Sequence, residues 1–180
     1  MPRPVHILSL LHDDDIDWLA QVGLRLNLAQ MTPLVEEGIR NPFLYIILSG
    51  AFIVTSSVAG VTGERPISIL QRGELVGELS FLDARPPSAT VRAARPAQVL
   101  AVSRAEVMRK LSADLGFAAR FYRALGITVA MRLRTQTHGQ EAADEELDLE
   151  QLGPVTVDEG RFEAIMNRLE APQADAGAAS

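Results

Sequence analysis

The stretch from Gly77 to Val91 reads GELSFLDARPPSATV, and it gathers the residue types that hold a small anion beside a hydroxylated ring. A glycine that opens a short helical turn leaves backbone N–H groups without a carbonyl partner, those of Glu78 and Leu79 among them, and such groups can face a negative charge. The Glu78 carboxylate can accept hydrogen bonds from a sugar hydroxyl. After Pro86 and Pro87, the hydroxyls of Ser88 and Thr90 and the backbone N–H groups of the turn, that of Ala89 included, add further donors. Arg85 supplies the nearest positive side chain. A cyclic phosphate ester with a free ribose hydroxyl matches this set. The same residues also allow a plainer reading, a tight capped connection between two strands in which Glu78 pairs with a neighbouring arginine.

Other chemistries find little support. The chain has no cysteine, which removes disulfides, thiolate metal sites and cysteine nucleophiles, and fits a reducing cytoplasm. His6, His12 and His138 match no metal-ligand spacing and read as surface residues. No G-x-S-x-G or comparable motif marks a nucleophile. The reading therefore names no catalytic residue and no metal site, and it is not that of an enzyme. Asp13, Asp14, Asp15 and Asp17 lack calcium-loop spacing and read as a solvated helix start. Arg120 and Arg123 read as solvated. Phe117, Phe121 and Tyr122 read as packing a helix onto the body rather than capping a base.

The elements that must position the motif follow from pattern. Residues 1–23 form a helical lead, with an aspartate among 13–15 as cap and Ile16, Trp18, Leu19 and Val22 as the apolar face. Short apolar runs then alternate with glycine turns: 25–28, 34–35, 43–48, 51–55, 67–70, 89–93 and 99–102. This spacing predicts a mainly β fold, a small barrel or jelly roll. Ser103 caps a helix reaching Leu111, and Asp114 caps a longer one reaching Thr135. In the latter, Leu115, Ala118, Tyr122, Leu125, Val129 and Leu133 recur at spacings of three and four. That stripe resembles a coiled-coil seam and predicts a homodimer through residues 114–135. Residues 136–180 read as an acidic linker, a short amphipathic helix carrying Phe162, Ile165, Met166 and Leu169, and a mobile end.

Charge follows the same division. Residues 1–140 carry 15 basic and 12 acidic side chains, a net of +3, whereas residues 141–180 carry 2 and 11, a net of −9. The mildly positive body suits an anionic ligand, and the acidic tail argues against gripping a nucleic-acid backbone. No apolar run is long enough to span a membrane, and the amino terminus lacks the pattern of a signal peptide.

Residues 24–135 resemble the cyclic nucleotide-binding domain of the catabolite-activator and protein-kinase-A regulatory type. The family's phosphate-binding cassette reads approximately G-E-L/I-A-L-hydrophobic-x-x-x-P-R-x-A-T/S-V. Gly77, Glu78, Leu79, Ser80, Phe81, Leu82, Pro86, Ala89, Thr90 and Val91 follow it in order. The approach LQRGELVG (70–77) and the run LYIILSG (44–50) resemble family segments too. The resemblance implies an eight-stranded jelly-roll barrel with a short N-terminal helix and two C-terminal helices, the last serving as lid or dimer stem. It implies a cyclic nucleotide, cyclic AMP or cyclic GMP, as the ligand class, and Gly77, Glu78, Leu79, Arg85, Ser88, Ala89 and Thr90 as the residues around it. Two departures stand out. Pro87 occupies the position of the family's phosphate-binding arginine, and no helix-turn-helix follows residue 135. The expectation is a bacterial, cytoplasmic, stand-alone sensor module that binds no DNA and answers to a ligand or a downstream protein. The alternative is a scaffold subunit that keeps the fold and binds no nucleotide.

Overall fold

A computed structural model describes residues 7–57, 63–138 and 159–171. Its eight strands lie in two four-stranded antiparallel sheets. The first runs β1 (Leu24–Leu28), β8 (Ala97–Ser103), β3 (Phe43–Ser49), β6 (Leu75–Val76), and the second runs β2 (Pro33–Val35), β7 (Thr90–Ala93), β4 (Ala51–Ser57), β5 (Glu64–Gln71). The expected jelly roll is thus present as two separate sheets rather than one closed barrel. Each of the seven apolar runs becomes a strand. The eighth strand, β6, has only two residues, too few to show a period.

The position of β3 explains its sequence. A strand with one wet face alternates, but Leu44 to Leu48 is a continuous apolar run, and all five residues are buried. Tyr45 and Ile47 face the second sheet, packing with Phe52, Leu70, Val76, Val91 and Val99. Leu44, Ile46 and Leu48 face a layer of helices. The first sheet is therefore buried on both sides, and only a run apolar at every position satisfies that. β4 lies in the second sheet and is buried at one position only, with Phe52 fully buried, Ile53 half-buried and Ser57 exposed.

The described residues also form five α-helices: α1 (Asp13–Val22), α2 (Glu78–Asp83), α3 (Arg104–Ala113), α4 (Leu115–His138) and α5 (Glu159–Glu170), with a 3-10 turn at Ile7–Leu10 ahead of them. At the start of α1 the structure corrects two expectations. His12, not an aspartate, holds the N-cap position, and Asp15 reaches back to accept its N–H at 2.9 Å. Asp15 is also buried and takes a two-pronged contact from Arg120 at 2.7 and 3.0 Å. Neither residue is the solvated group that spacing alone suggested. Asp114 does cap α4, accepting the Phe117 N–H at 2.8 Å. Ser103 stands at the N-cap of α3 but makes no side-chain cap bond.

The stripe on α4 divides. Leu125 is fully buried with Phe117, Phe121 and Ala124, in the chain's own core. Leu115, Tyr122 and Leu133 are exposed, at 83, 45 and 62%. The helix has an inner face at 117, 121, 125 and 128 and an outer face at 115, 122 and 133. The stripe runs along the border between the two faces, so it holds both the buried Leu125 and the exposed Tyr122.

The helix α5 folds back on the body. Phe162, Ile165, Met166 and Leu169 are buried in the cluster that holds Ile16, Leu19 and Phe121. Arg161 donates to the Leu11 carbonyl at 2.8 Å, and Arg25 donates to the Leu169 carbonyl at 3.0 Å. Arg72 pairs with Glu163 and Glu170 at 2.8 and 2.9 Å. Arg161 and Arg168 both pair with Asp13 at 3.2 Å. Gly73 makes the docking possible. Its φ is +88°, and a Cβ there would lie 2.5 Å from the Phe162 ring. The expected acidic linker and the expected mobile end fall outside the described residues.

Candidate functional site

The turn leaving β6 carries the anion-type motif. Gly77 has a φ of +95°, and a Cβ would sit 3.1 Å from the Phe43 carbonyl oxygen, so the position calls for glycine on two counts. α2 starts at once. It ends at Ala84, which is left-handed at φ 59° and donates its N–H to the Ser80 carbonyl at 3.1 Å. Phe81 turns inward, in edge contact with Phe121 of α4 at 5.7 Å between ring centroids. Arg104 lies over its ring at 4.8 Å and donates to the Ser80 carbonyl at 2.9 Å. Leu79 stays half out in solvent.

Glu78 is 3% exposed and already has a partner. Arg132, on α4, donates through Nη1 to Glu78 Oε1 and through Nη2 to the Leu75 carbonyl at 2.6 Å. Its Nη2 also lies 3.9 Å from Glu74 Oε1. Glu74 accepts the Gln71 N–H at 2.6 Å. Burial raises the Glu74 carboxyl above its ordinary value, against the lowering pull of that N–H and of Arg132. One guanidinium between two carboxylates leaves no spare positive charge in this corner for a phosphate.

The other side of the turn is held by backbone contacts. Pro87 is buried and its carbonyl accepts the Gly38 N–H at 2.8 Å. The Thr90 hydroxyl is buried and accepts the Glu37 N–H at 3.1 Å. Arg40 donates to the Ala84 carbonyl at 3.2 Å. Ser88 is exposed and Ala89 is half-buried. Arg85 points outward, with its side chain 83% exposed and 3.9 Å from Asp83. The structure thus brings Gly77, Glu78 and Leu79 together at the start of α2, places Thr90 against the segment before β3, and leaves Arg85 and Ser88 in solvent.

Sequence reasoning did not find Arg132, although a signal was present. The inner face of α4 runs 117, 121, 125, 128, and the next step of four is 132. A cation that continues a buried face needs an internal acceptor, and Glu78 is that acceptor. Following the outer stripe to Leu133 concealed it.

The fold agrees with comparisons to known proteins. The family model for the cyclic nucleotide-binding domain matches residues 25–114. That is half of the chain, and the chain belongs to this family. The potassium channel AKT6 of Arabidopsis thaliana is 30% identical over 115 residues, covering 62% of this chain and 13% of the channel, so the chain spans a small part of that protein's length. A cyclic nucleotide-binding domain from Methylobacillus flagellatus KT has the same fold, with a TM-score of 0.66 and 21% identity over 86% of this chain and 84% of that one. The catabolite activator protein of Thermus thermophilus superposes with a TM-score of 0.64 and 22% identity, over 90% of this chain and 80% of that one. Arg132 lies beyond the segment that the family model matches. Among the described residues no helix is long and apolar enough to cross a membrane.

Proposed function

We propose that this chain is a regulatory binding module of the cyclic nucleotide type, in which a ligand or a partner protein shifts α4 relative to the sheets. The observation that carries the reading is the Gly77–Asp83 turn. It keeps the glycine and the carboxylate of a nucleotide cassette, the first left-handed and the second buried, and turns a large apolar side chain, Phe81, inward, but sets Pro87 where a phosphate-binding arginine belongs. An arginine gives two parallel charge-assisted bonds to phosphate oxygens, and a proline gives none. The ligand class is cyclic AMP or cyclic GMP, and the wild-type chain binds either weakly or not at all. The module is cytoplasmic, non-catalytic, does not bind DNA, and pairs with a second copy through the outer face of α4. A ligand moves α4 only if it binds one arrangement better than the other.

The test is thermal unfolding with and without cyclic AMP and cyclic GMP. A ligand present at a hundred times its Kd stabilises by about 2.7 kcal/mol, which for a chain of this size raises Tm by roughly 5–11 °C. Shifts below a degree at millimolar nucleotide would support the second reading, a scaffold that uses the fold only for protein contact. The pairing of Glu78 with Arg132 favours that second reading, because the carboxylate a ribose would need is satisfied without one.

A further inference from the structure

We propose that Arg132 is a built-in occupant of the Glu78 carboxylate, and that this clasp holds the distal third of α4 closed over the cassette until a ligand displaces it. The burial pattern of the helix points to it. From Leu115 to Thr128, α4 is anchored by buried Phe117, Phe121, Ala124, Leu125 and Thr128 and by the Arg120–Asp15 pair. From Val129 to Thr137 no side chain is fully buried. Val129, Met131 and Thr135 are half-buried, and among the described residues the polar tie from that segment to the body is Arg132, through Glu78 and the Leu75 carbonyl.

The helix is softened at the join before this segment and again at its end. Gly126 lies at the join with open space around it, and an interior glycine disfavours helix relative to alanine. Thr128, Thr135 and Thr137 each turn their hydroxyls back to the carbonyl four residues earlier, at 2.9, 3.0 and 2.9 Å, a habit that slightly destabilises and bends helices. Firm packing up to 128, a soft join, and, among the described residues, a single polar fastening beyond it together make an element with two arrangements. The switch is competitive. A ligand with a free ribose hydroxyl that uses the Glu78 carboxylate must take it from the guanidinium, and Arg132, already part-exposed, can turn to water. This ligand step rests on the nucleotide-type reading above, whereas the clasp itself does not.

Two measurements on the full chain test it. The first is hydrogen exchange without ligand on wild type, Glu78→Gln and Arg132→Gln. Glu78→Gln keeps the shape of the pocket and leaves no buried carboxylate unpaired, and the part-exposed Arg132 it releases can reach water, so it remains informative if Arg132→Gln folds poorly. The expected result is exchange at least about tenfold faster at amides 129–138, with amides 117–125 unchanged. Equal protection at 129–138 in both variants would overturn the clasp. The second is calorimetric titration of cyclic AMP and cyclic GMP into wild type, Arg132→Gln, Pro87→Arg and the double variant. Removing Arg132 should tighten binding by about tenfold over the parent in at least one background. Unchanged or weaker binding in every background that binds would overturn the competition. Absence of binding in all four refutes the nucleotide reading instead, and the exchange result then decides the clasp alone.

Discussion

Replacing Pro87 by arginine tests the cassette most directly. The missing interaction is a charge-assisted pair to a phosphate, worth roughly 1.5–3 kcal/mol, or about ten- to a hundredfold in affinity. Three terms oppose it in the free protein. Pro87 is buried against the segment before β3, so the larger side chain overpacks the site, at about 1–3 kcal/mol. The fixed proline dihedral is lost, which returns entropy to the unfolded chain at about 0.4–1 kcal/mol. A guanidinium at this buried position also loses hydration that no ligand yet replaces. The Gly38 N–H to Pro87 carbonyl bond survives, because it uses the backbone. Pro87→Arg should therefore melt below wild type without ligand and recover when cyclic AMP is added. Arg85→Ala, which removes a side chain that is 83% exposed, should change neither stability nor affinity. Calorimetry on the three proteins settles it. Wild-type binding of cyclic AMP at micromolar or tighter Kd, indifferent to Arg85→Ala, would show that backbone and hydroxyl donors suffice and that the arginine was weighted too heavily.

Two further outcomes follow from the helices. Met166 is fully buried in the docked α5, and Met166→Ala should cost about 2–5 kcal/mol, up to the free energy at which α5 simply undocks; an unchanged Tm would mean that α5 adds nothing to the fold. On the outer face of α4, Leu133→Asp should convert the proposed dimer to monomer in sedimentation velocity at tens of micromolar. A wild-type monomer at that concentration would remove the dimer altogether, and Leu125, buried in the core of its own chain, would not serve as the probe.

Strand runs, glycine turns and the cassette were legible in the sequence because each is a local pattern. Phe43 to Ser49 announces a doubly buried strand by its unbroken apolar run, and Gly77 announces a left-handed turn by standing before a carboxylate and a short apolar helix. What the sequence hid lies in pairs far apart along the chain. Asp15 with Arg120 and Glu78 with Arg132 are separated by 105 and 54 residues, and no spacing rule links such residues. The two faces of α4 were hidden for another reason. Both are largely apolar, so period alone cannot say which of them meets the sheet.

The helix layer also sets how the cassette can communicate. Phe81 of α2 and Phe121 of α4 touch edge to face, and Phe117 stacks on Phe121 with 5.2 Å between centroids. Trp18 of α1 meets Phe117 at 5.4 Å, and α5 packs into the same cluster through Met166 and Ile165. Protein interiors of this density do not absorb a displaced ring by compression. A movement of α2 that shifts Phe81 must therefore be taken up by α4, by α1, or by release of α5. The proximal part of α4 is additionally tied by Arg120 to Asp15, and α5 is tied by ion pairs that remain part-exposed, a class of contact worth about 0–1 kcal/mol each. From Val129 to Thr137, α4 has no fully buried side chain to resist. It is the segment that the proposed clasp would release, and its release need not open the core.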